Sequence, residues 1–208
     1  MFVTLEGPDF SGKSTLVRNL KPLLGGLDPP IHFTREPGGT PAAERIREVL
    51  LDPTIEIDEW TEAYLYAAAR ADHVRREVLP RLESGEGVFC ERYLDSSLAY
   101  QGYARGLGAK AIRELNSWAG GVVPDRTFYL RLGAEERERR AWRSGALDRI
   151  EGAGAEFMEL VTAGFEDLAR SEPDRIEILD ASLPPEQLAE AVRRRVVELG
   201  YTPTNGED

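Results

Sequence analysis

A chain of 208 residues, 41% hydrophobic and 30% charged, is long enough to bury a full core, and its length favours one domain. A formal net charge of -11 at pH 7 argues against a polynucleotide-binding surface, which gains affinity by neutralising phosphates with Lys and Arg; a small phosphorylated ligand needs only a local cluster of arginines. No apolar run approaches a bilayer span or a secretory h-region. The single cysteine, Cys90 in Val88-Phe89-Cys90, allows no internal disulfide and reads as a core residue, so a cytoplasmic protein in a reducing compartment is expected.

Phe2-Val3-Thr4-Leu5-Glu6 is an apolar, β-branched run stopped by Gly7-Pro8, and predicts a strand. Leu16, Val17, Leu20, Leu23 and Leu24 then repeat with helical spacing from Lys13 onward. A second strand at Ile31-His32-Phe33-Thr34 runs into the turn Glu36-Pro37-Gly38-Gly39, and a helix follows from about Ala42 to Leu51. Asp58 to about Glu83 is helical by pattern, interrupted or ended near Pro80. Further strands are expected at 87–91, 127–132 and 175–179, with a last helix from Pro185 to Leu199.

Strands alternating with helices predict a three-layer α/β fold, a five-stranded parallel sheet flanked by helices, in one domain over 1–200. The polar segment 201–208 reads as a flexible tail. Ligands in such folds bind beyond the carboxyl ends of the strands, and Gly7 to Ser14, Arg35, Glu91-Arg92 and Asp180 all follow strands at that edge. His32 and His73 show no metal-ligand spacing and read as structural or exposed.

Gly7-x-x-x-x-Gly12-Lys13-Ser14 matches the loop whose backbone N–H groups and helix N-terminus surround phosphate oxygens. It lies between an apolar strand and an apolar-periodic helix, the context that the motif requires. The whole stretch Gly7, Pro8, Asp9, Phe10, Ser11, Gly12, Lys13, Ser14 and Thr15 is therefore assigned to ATP. Lys13 would bridge the β- and γ-phosphates, and the Ser14 hydroxyl would sit on Mg²⁺. Motors, switches and small-molecule kinases share this loop, so the use of ATP must be read from other residues.

A second site has residue types suited to a phosphate and a base. Arg35 and Arg47 flank the Pro37-Gly38-Gly39 turn. Tyr66 and Arg70 lie four apart on one helix face, with only alanines between them, leaving room for something flat; a core tyrosine beside a solvated arginine fits the same spacing. Glu91-Arg92-Tyr93 closes the third strand, and Asp95-Ser96-Ser97-Leu98-Ala99-Tyr100-Gln101-Gly102 opens a helix in which Asp95 or Ser96 is a plausible N-cap. Ser97 with Gln101, and Ser96 with Tyr100, would form a polar lining on one side of it.

The combination EGPDFSGKST, TREPGGT, LYAAAR, ERYLDSSLAYQGYARG and LDRIEG resembles the thymidylate kinase family, from about residue 2 to 182. The resemblance implies a homodimeric, Mg²⁺-dependent enzyme of P-loop fold, with a small lid, that phosphorylates dTMP to dTDP using ATP. It assigns Arg35, Arg47 and Arg92 to the dTMP phosphate, stacks Tyr66 on thymine and brings Arg70 to its O4. Ser97 and Gln101 would face the N3 edge, with Ser96 beside them, and Tyr100 would crowd the sugar's 2′ position. Asp9 matches an acid that contacts the acceptor's 3′-hydroxyl. Fold analogy places adenine against the lid arginines and the turn Asp180-Ala181-Ser182-Leu183, where a plain loop fits equally well.

Three positions depart from the family pattern. Phe10 stands where one branch of the family has a catalytic arginine and the other a glycine, so catalysis should depend on arginines of the lid, about 137–150. There Ser144 replaces the arginine that often precedes the glycine before LDRIE. Arg143 and Arg149 are then the expected catalytic arginines beside Lys13, Arg92 and Asp9, with Arg140 one turn back. A solvated, ion-paired helix end fits the same lid residues. Glu91 replaces the usual aspartate, and with Ser14 is the expected metal contact, its oxygens moved by about 1.5 Å. A kinase for another nucleotide or deoxynucleoside, and a regulatory P-loop ATPase, are the rival readings.

Overall fold

In the computed structural model, which describes residues 1–145 and 148–203, strand β1, Phe2–Glu6, is buried along its whole length. It lies between β4, Gly87–Glu91, and β5, Arg126–Arg131, while β3, Ile31–Arg35, and β6, Ile176–Asp180, form the edges. The order is β3-β4-β1-β5-β6, every pair is parallel, and the five strands are those read from the sequence to within a residue. A strand covered on both faces reads as a nearly continuous apolar run, which is why these segments were legible.

Side chains alternate across the sheet. Val3, Leu5, Phe128 and Leu130 pack under α1, Lys13–Leu24, and α9, Pro185–Glu198, against Leu16, Leu20, Leu188, Val192 and Val196. Phe2, Val88 and the fully buried Cys90 face the other side, against Val74 and Val78. There Tyr129 meets Phe157, Met158, Val161, Phe165 and Leu168 of α8, Ala155–Ser171. α8 is not among the elements predicted above, although its buried apolar residues recur at spacings of three and four, the signal of a helix with one buried face.

The connections carry α2, Pro41–Leu51, α3, Glu59–His73, α4, Leu79–Glu83, α5, Leu94–Ser97, α6, Ala109–Ser117, and α7, Ala134–Ser144. The break expected near Pro80 takes another form. Residues 74–78 widen into a π-helical turn in which Leu79 N–H reaches Val74 O, and the chain continues helically past Pro80. A second π-helical segment, 98–104, continues α5. Among the described residues no helix is long and apolar enough to cross a membrane.

The tail expectation needs correction at its start. Tyr201 is 5% exposed, its hydroxyl accepts from the N-terminal ammonium of Met1 at 3.2 Å, and β7, Thr202–Pro203, pairs antiparallel with β2, Leu27–Asp28. An aromatic ring that can enter the core outweighs the polar composition around it. Residues 204–208, and 146–147 of the expected lid, lie outside the described residues. The chain leaves β1 toward β3 and β4 toward β5, on opposite sides, so the crevice beyond the ends of β1 and β4 is the switch point where such sheets bind ligands.

Candidate active site

That crevice is a cleft of about 770 Å³ running from the loop between β1 and α1 to Tyr66, Arg70 and Gln101 at one end and to residues 181–185 at the other. Gly7 opens the loop at φ 142°, and a Cβ there would lie 2.8 Å from the Leu130 carbonyl oxygen, so only glycine passes. Lys13 is 5% exposed, and its ammonium donates to Gly7 O at 3.0 Å, Pro8 O at 2.8 Å and Ser11 Oγ at 3.4 Å. Burial, followed by the nearby Arg92 charge, pushes its pKa down to about 7. The loop thus holds its cation desolvated, where an anion gains most from it.

Beside the loop stands a charge cluster on the switch-point strands. Arg92 adopts φ 65°, and its guanidinium donates to Asp9 Oδ1, to Gly7 O at 3.1 Å and to Ser96 Oγ at 3.2 Å. Asp9 Oδ2 accepts from the Tyr100 hydroxyl at 2.7 Å, and that ring lies under the Arg92 guanidinium, 5.3 Å from ring centroid to Cζ. Burial would raise the Asp9 carboxyl, but Arg92 and Lys13 outweigh it and hold it below the usual range. Ser14 Oγ donates to Glu91 Oε1 at 2.8 Å, so the longer glutamate still meets the hydroxyl.

Asp95 and Ser96 do not cap a helix. Asp95 pairs with Arg175 at 2.7 and 2.9 Å, and Ser96 Oγ donates to Glu6 Oε2 at 2.5 Å, because the strand ends offer them stronger, buried partners. Glu6 also accepts from Tyr93 N–H at 2.8 Å, and burial followed by the Asp95 charge raises its pKa to about 7. A carboxyl raised in the folded state contributes stability that is complete below pH 4.5 and lost as pH rises through about 7. Glu6→Gln should therefore gain on the wild type in denaturant unfolding between pH 5 and 9, by on the order of 3 kcal/mol. Parallel pH profiles for the two proteins would contradict this.

At the far end, Tyr66 lines the cleft, Gln101 Nε2 donates to Glu62 Oε1 at 2.8 Å and Ser97 Oγ accepts from Arg70 at 2.9 Å. Arg70 is 3% exposed and ion-paired with Glu36, so it is not the solvated arginine that its spacing also allowed. Arg47 lines the cleft and donates to Pro37 O at 3.0 Å. Arg35 lies apart: its Nη2 donates to Glu44 Oε1 at 3.0 Å and Oε2 at 2.9 Å, and it opens on an adjoining basic cavity shared with Arg47 and Arg92.

The two expected lid arginines do not reach the loop. Arg143 is exposed, and Arg149 turns to Glu62 at 2.8 Å and Leu50 O at 2.8 Å, its Nη2 buried without a hydrogen-bond partner among the described residues. Arg140 does reach it, with Nη1 3.4 Å from Phe10 O and 3.5 Å from Ser11 O, and Nη2 donating to Ala181 O at 3.1 Å. The 4%-exposed Arg137 marks the inward face of α7. At about 100° per residue Arg140 lies about 60° from that face and Arg143 about 120°. Phe10, at φ 64°, lines the cleft, while Trp142 is 88% exposed. Glu36 and Glu62 escaped the sequence reading, though Glu62 sits four residues before Tyr66, on the same helix face.

A phosphate loop at the switch point of a parallel sheet, in one cleft with an arginine-lined acceptor end, defines a nucleoside monophosphate kinase. The family model described as thymidylate kinase matches residues 5–192. A thymidylate kinase of Symbiobacterium thermophilum is 47% identical over 201 residues, 96% of this chain and 94% of that one; one of Deinococcus radiodurans is 44% identical over 202 residues, covering 97% and 98%. The crystal structure of thymidylate kinase from Ehrlichia chaffeensis superposes with a TM-score of 0.74 at 29% identity, covering 95% of this chain and 98% of that one. The chain belongs to the thymidylate kinase family.

Proposed function

We propose that the protein transfers the γ-phosphoryl group of ATP directly to the phosphate of dTMP, forming dTDP and ADP. The observation that carries this is the single cleft in which the phosphate loop and the Tyr66, Arg70 and Gln101 pocket are joined through Arg92 and Asp9. Such a transfer needs two nucleotides held in line and charge neutralised between them. The acceptor is already an anion, so no strong base is required; Lys13 and Arg92 supply fixed positive charge at the junction. Tyr66 offers a face to thymine, Arg70 a donor to O4, and Ser97 and Gln101 polar groups to the base edge. Asp9, held by Arg92 and Tyr100, would contact the acceptor's 3′-hydroxyl.

Ser14 and Glu91 fit Mg²⁺: they are hard oxygen donors in mutual contact, and the described residues hold no cluster of three metal-ligating side chains. That set suits an ion that takes its other ligands from phosphates and water. When bound, Mg²⁺ would neutralise phosphate charge at the Lys13 end of the cleft. Arg140, between the loop and Ala181, takes the lid role at the ATP end. Arg140→Ala should raise KM for ATP about tenfold, while Arg143→Ala leaves it within twofold; equal effects would return Arg143 to the site.

The proposal includes a lid spanning about 137–150, a cytoplasmic location and a homodimer, which sedimentation of the purified chain tests. On α3, Trp60 and Tyr64 are 42% and 58% exposed, apolar surface that a second copy could cover. Reaction of dTMP with ATP chiral at the γ-phosphorus should give dTDP with inverted configuration. Retention would mean a phosphoenzyme, and release of free phosphate without dTDP would mean an ATPase.

A further inference from the structure

Arg70 has five N–H groups, and the protein uses four of them. Nε donates to Glu36 Oε2 at 2.7 Å, one Nη1 N–H goes to Asn116 Oδ1, and Nη2 donates to Tyr93 O at 3.0 Å and Ser97 Oγ at 2.9 Å. The remaining Nη1 N–H is what this side chain, part of the cleft wall, can offer a ligand. Its holders are themselves held. Glu36 Oε1 accepts from His73 Nδ1 at 2.9 Å, His73 Nε2 lies 2.7 Å from the Thr34 hydroxyl, and Asn116 Nδ2 donates to Ile112 O at 2.8 Å. Gly39, at φ 85°, passes so close over the His73 ring that a Cβ would come within 2.6 Å of Cδ2, so the turn after β3 is shaped around this histidine.

His73 is fully buried and Asn116 is 5% exposed, and neither lines the cleft. We propose that His73, through Glu36, and Asn116, directly, are positioning residues for base selection: they lock Arg70 so that one N–H alone is left to face the acceptor's base. A single fixed donor accepts a carbonyl oxygen and rejects an amino group, because a donor opposed by a donor leaves a desolvated N–H unpaired. The inference rests on the reading that the dTMP base lies over Tyr66 and Arg70. If Arg70 were free to turn, its other N–H groups could follow the ligand through water, and the distinction between a 4-oxo and a 4-amino pyrimidine would weaken.

His73→Phe removes the donor to Glu36, whereas His73→Asn places an amide N–H near the position of Nδ1. Steady-state kinetics on the full chain should show KM for dTMP raised about tenfold in His73→Phe, with KM for ATP and kcat within twofold. The preference for dTMP over dCMP should fall about tenfold, and His73→Asn should recover most of both. Asn116→Ala should give the same split from the other side of Arg70, and decides the matter if His73→Phe does not fold. Equal movement of both KM values, a fall in kcat alone, or an Asn variant as impaired as the Phe variant would reduce these residues to structural support. Wild-type enzyme that does not prefer dTMP to dCMP would instead overturn the underlying reading before any variant is made.

Discussion

Lys13→Met should lower kcat by about 10³-fold while leaving the fold intact. The side chain is buried with three oxygen acceptors of its own loop around the ammonium, and no carboxylate shares those bonds. Burial depresses its pKa to about 7, so the folded protein bears a desolvation cost for holding the charge there. Methionine is close in length and relieves that cost, so thermal stability should stay level or rise. Turnover should collapse, because the charge is fixed before the reaction where negative charge moves between two nucleotides. Single-turnover ADP formation beside a melting curve separates the two. A variant that is less stable and turns over normally would make Lys13 a structural residue.

Arg92→Ala should cost both chemistry and stability. Arg92 is 18% exposed at its side chain, stacks over Tyr100, and pairs with Asp9, itself 15% exposed. Burial works against its charge, but Asp9 and Tyr100 outweigh this and it stays firmly cationic. Removing one partner of a largely buried pair leaves the other uncompensated, at a cost of about 3 kcal/mol. The Asp9 carboxyl, held low by Arg92 before Lys13, should then titrate higher. In turnover we expect kcat/KM for dTMP to fall about 10³-fold and KM for ATP to change less than threefold, because the proposed role of Arg92 is at the acceptor phosphate. Losses shared equally by the two substrates would place it elsewhere. Arg92→Lys should restore charge but little rate, because an ammonium cannot span Gly7 O, Ser96 and Asp9 together.

The contrast between loop and lid shows what the sequence could reveal. The five strands and the phosphate loop were legible because backbone geometry and burial fix their residue types locally: Gly7 is required by a neighbouring carbonyl, and β1 is apolar because both its faces are covered. Asp9 could be matched to a family acid, but the sequence cannot show that Arg92 and Tyr100, more than 80 residues on, donate to its two oxygens. The placement of the lid arginines was hidden for a related reason. Of the five arginines between 137 and 149, four lie on α7, where the helical phase set by buried Arg137 decides which points inward, and Arg149 lies beyond the end of that helix. The family resemblance singled out Arg143 and Arg149; helix geometry brings Arg140 to the loop. The network behind Arg70 was hidden altogether, since Glu36, His73 and Asn116 come from three separate segments and look like an ordinary turn and ordinary helix residues.

The central claim is that one cleft reads thymine at one end and spends ATP at the other, and initial-rate ADP formation with an acceptor panel, in Mg²⁺-replete enzyme, tests it most directly. The account predicts little turnover with ATP alone, strong stimulation by dTMP, and kcat/KM for dCMP and UMP lower by about 10²-fold or more. Equal rates across the panel, or full ADP release without any acceptor, would contradict it.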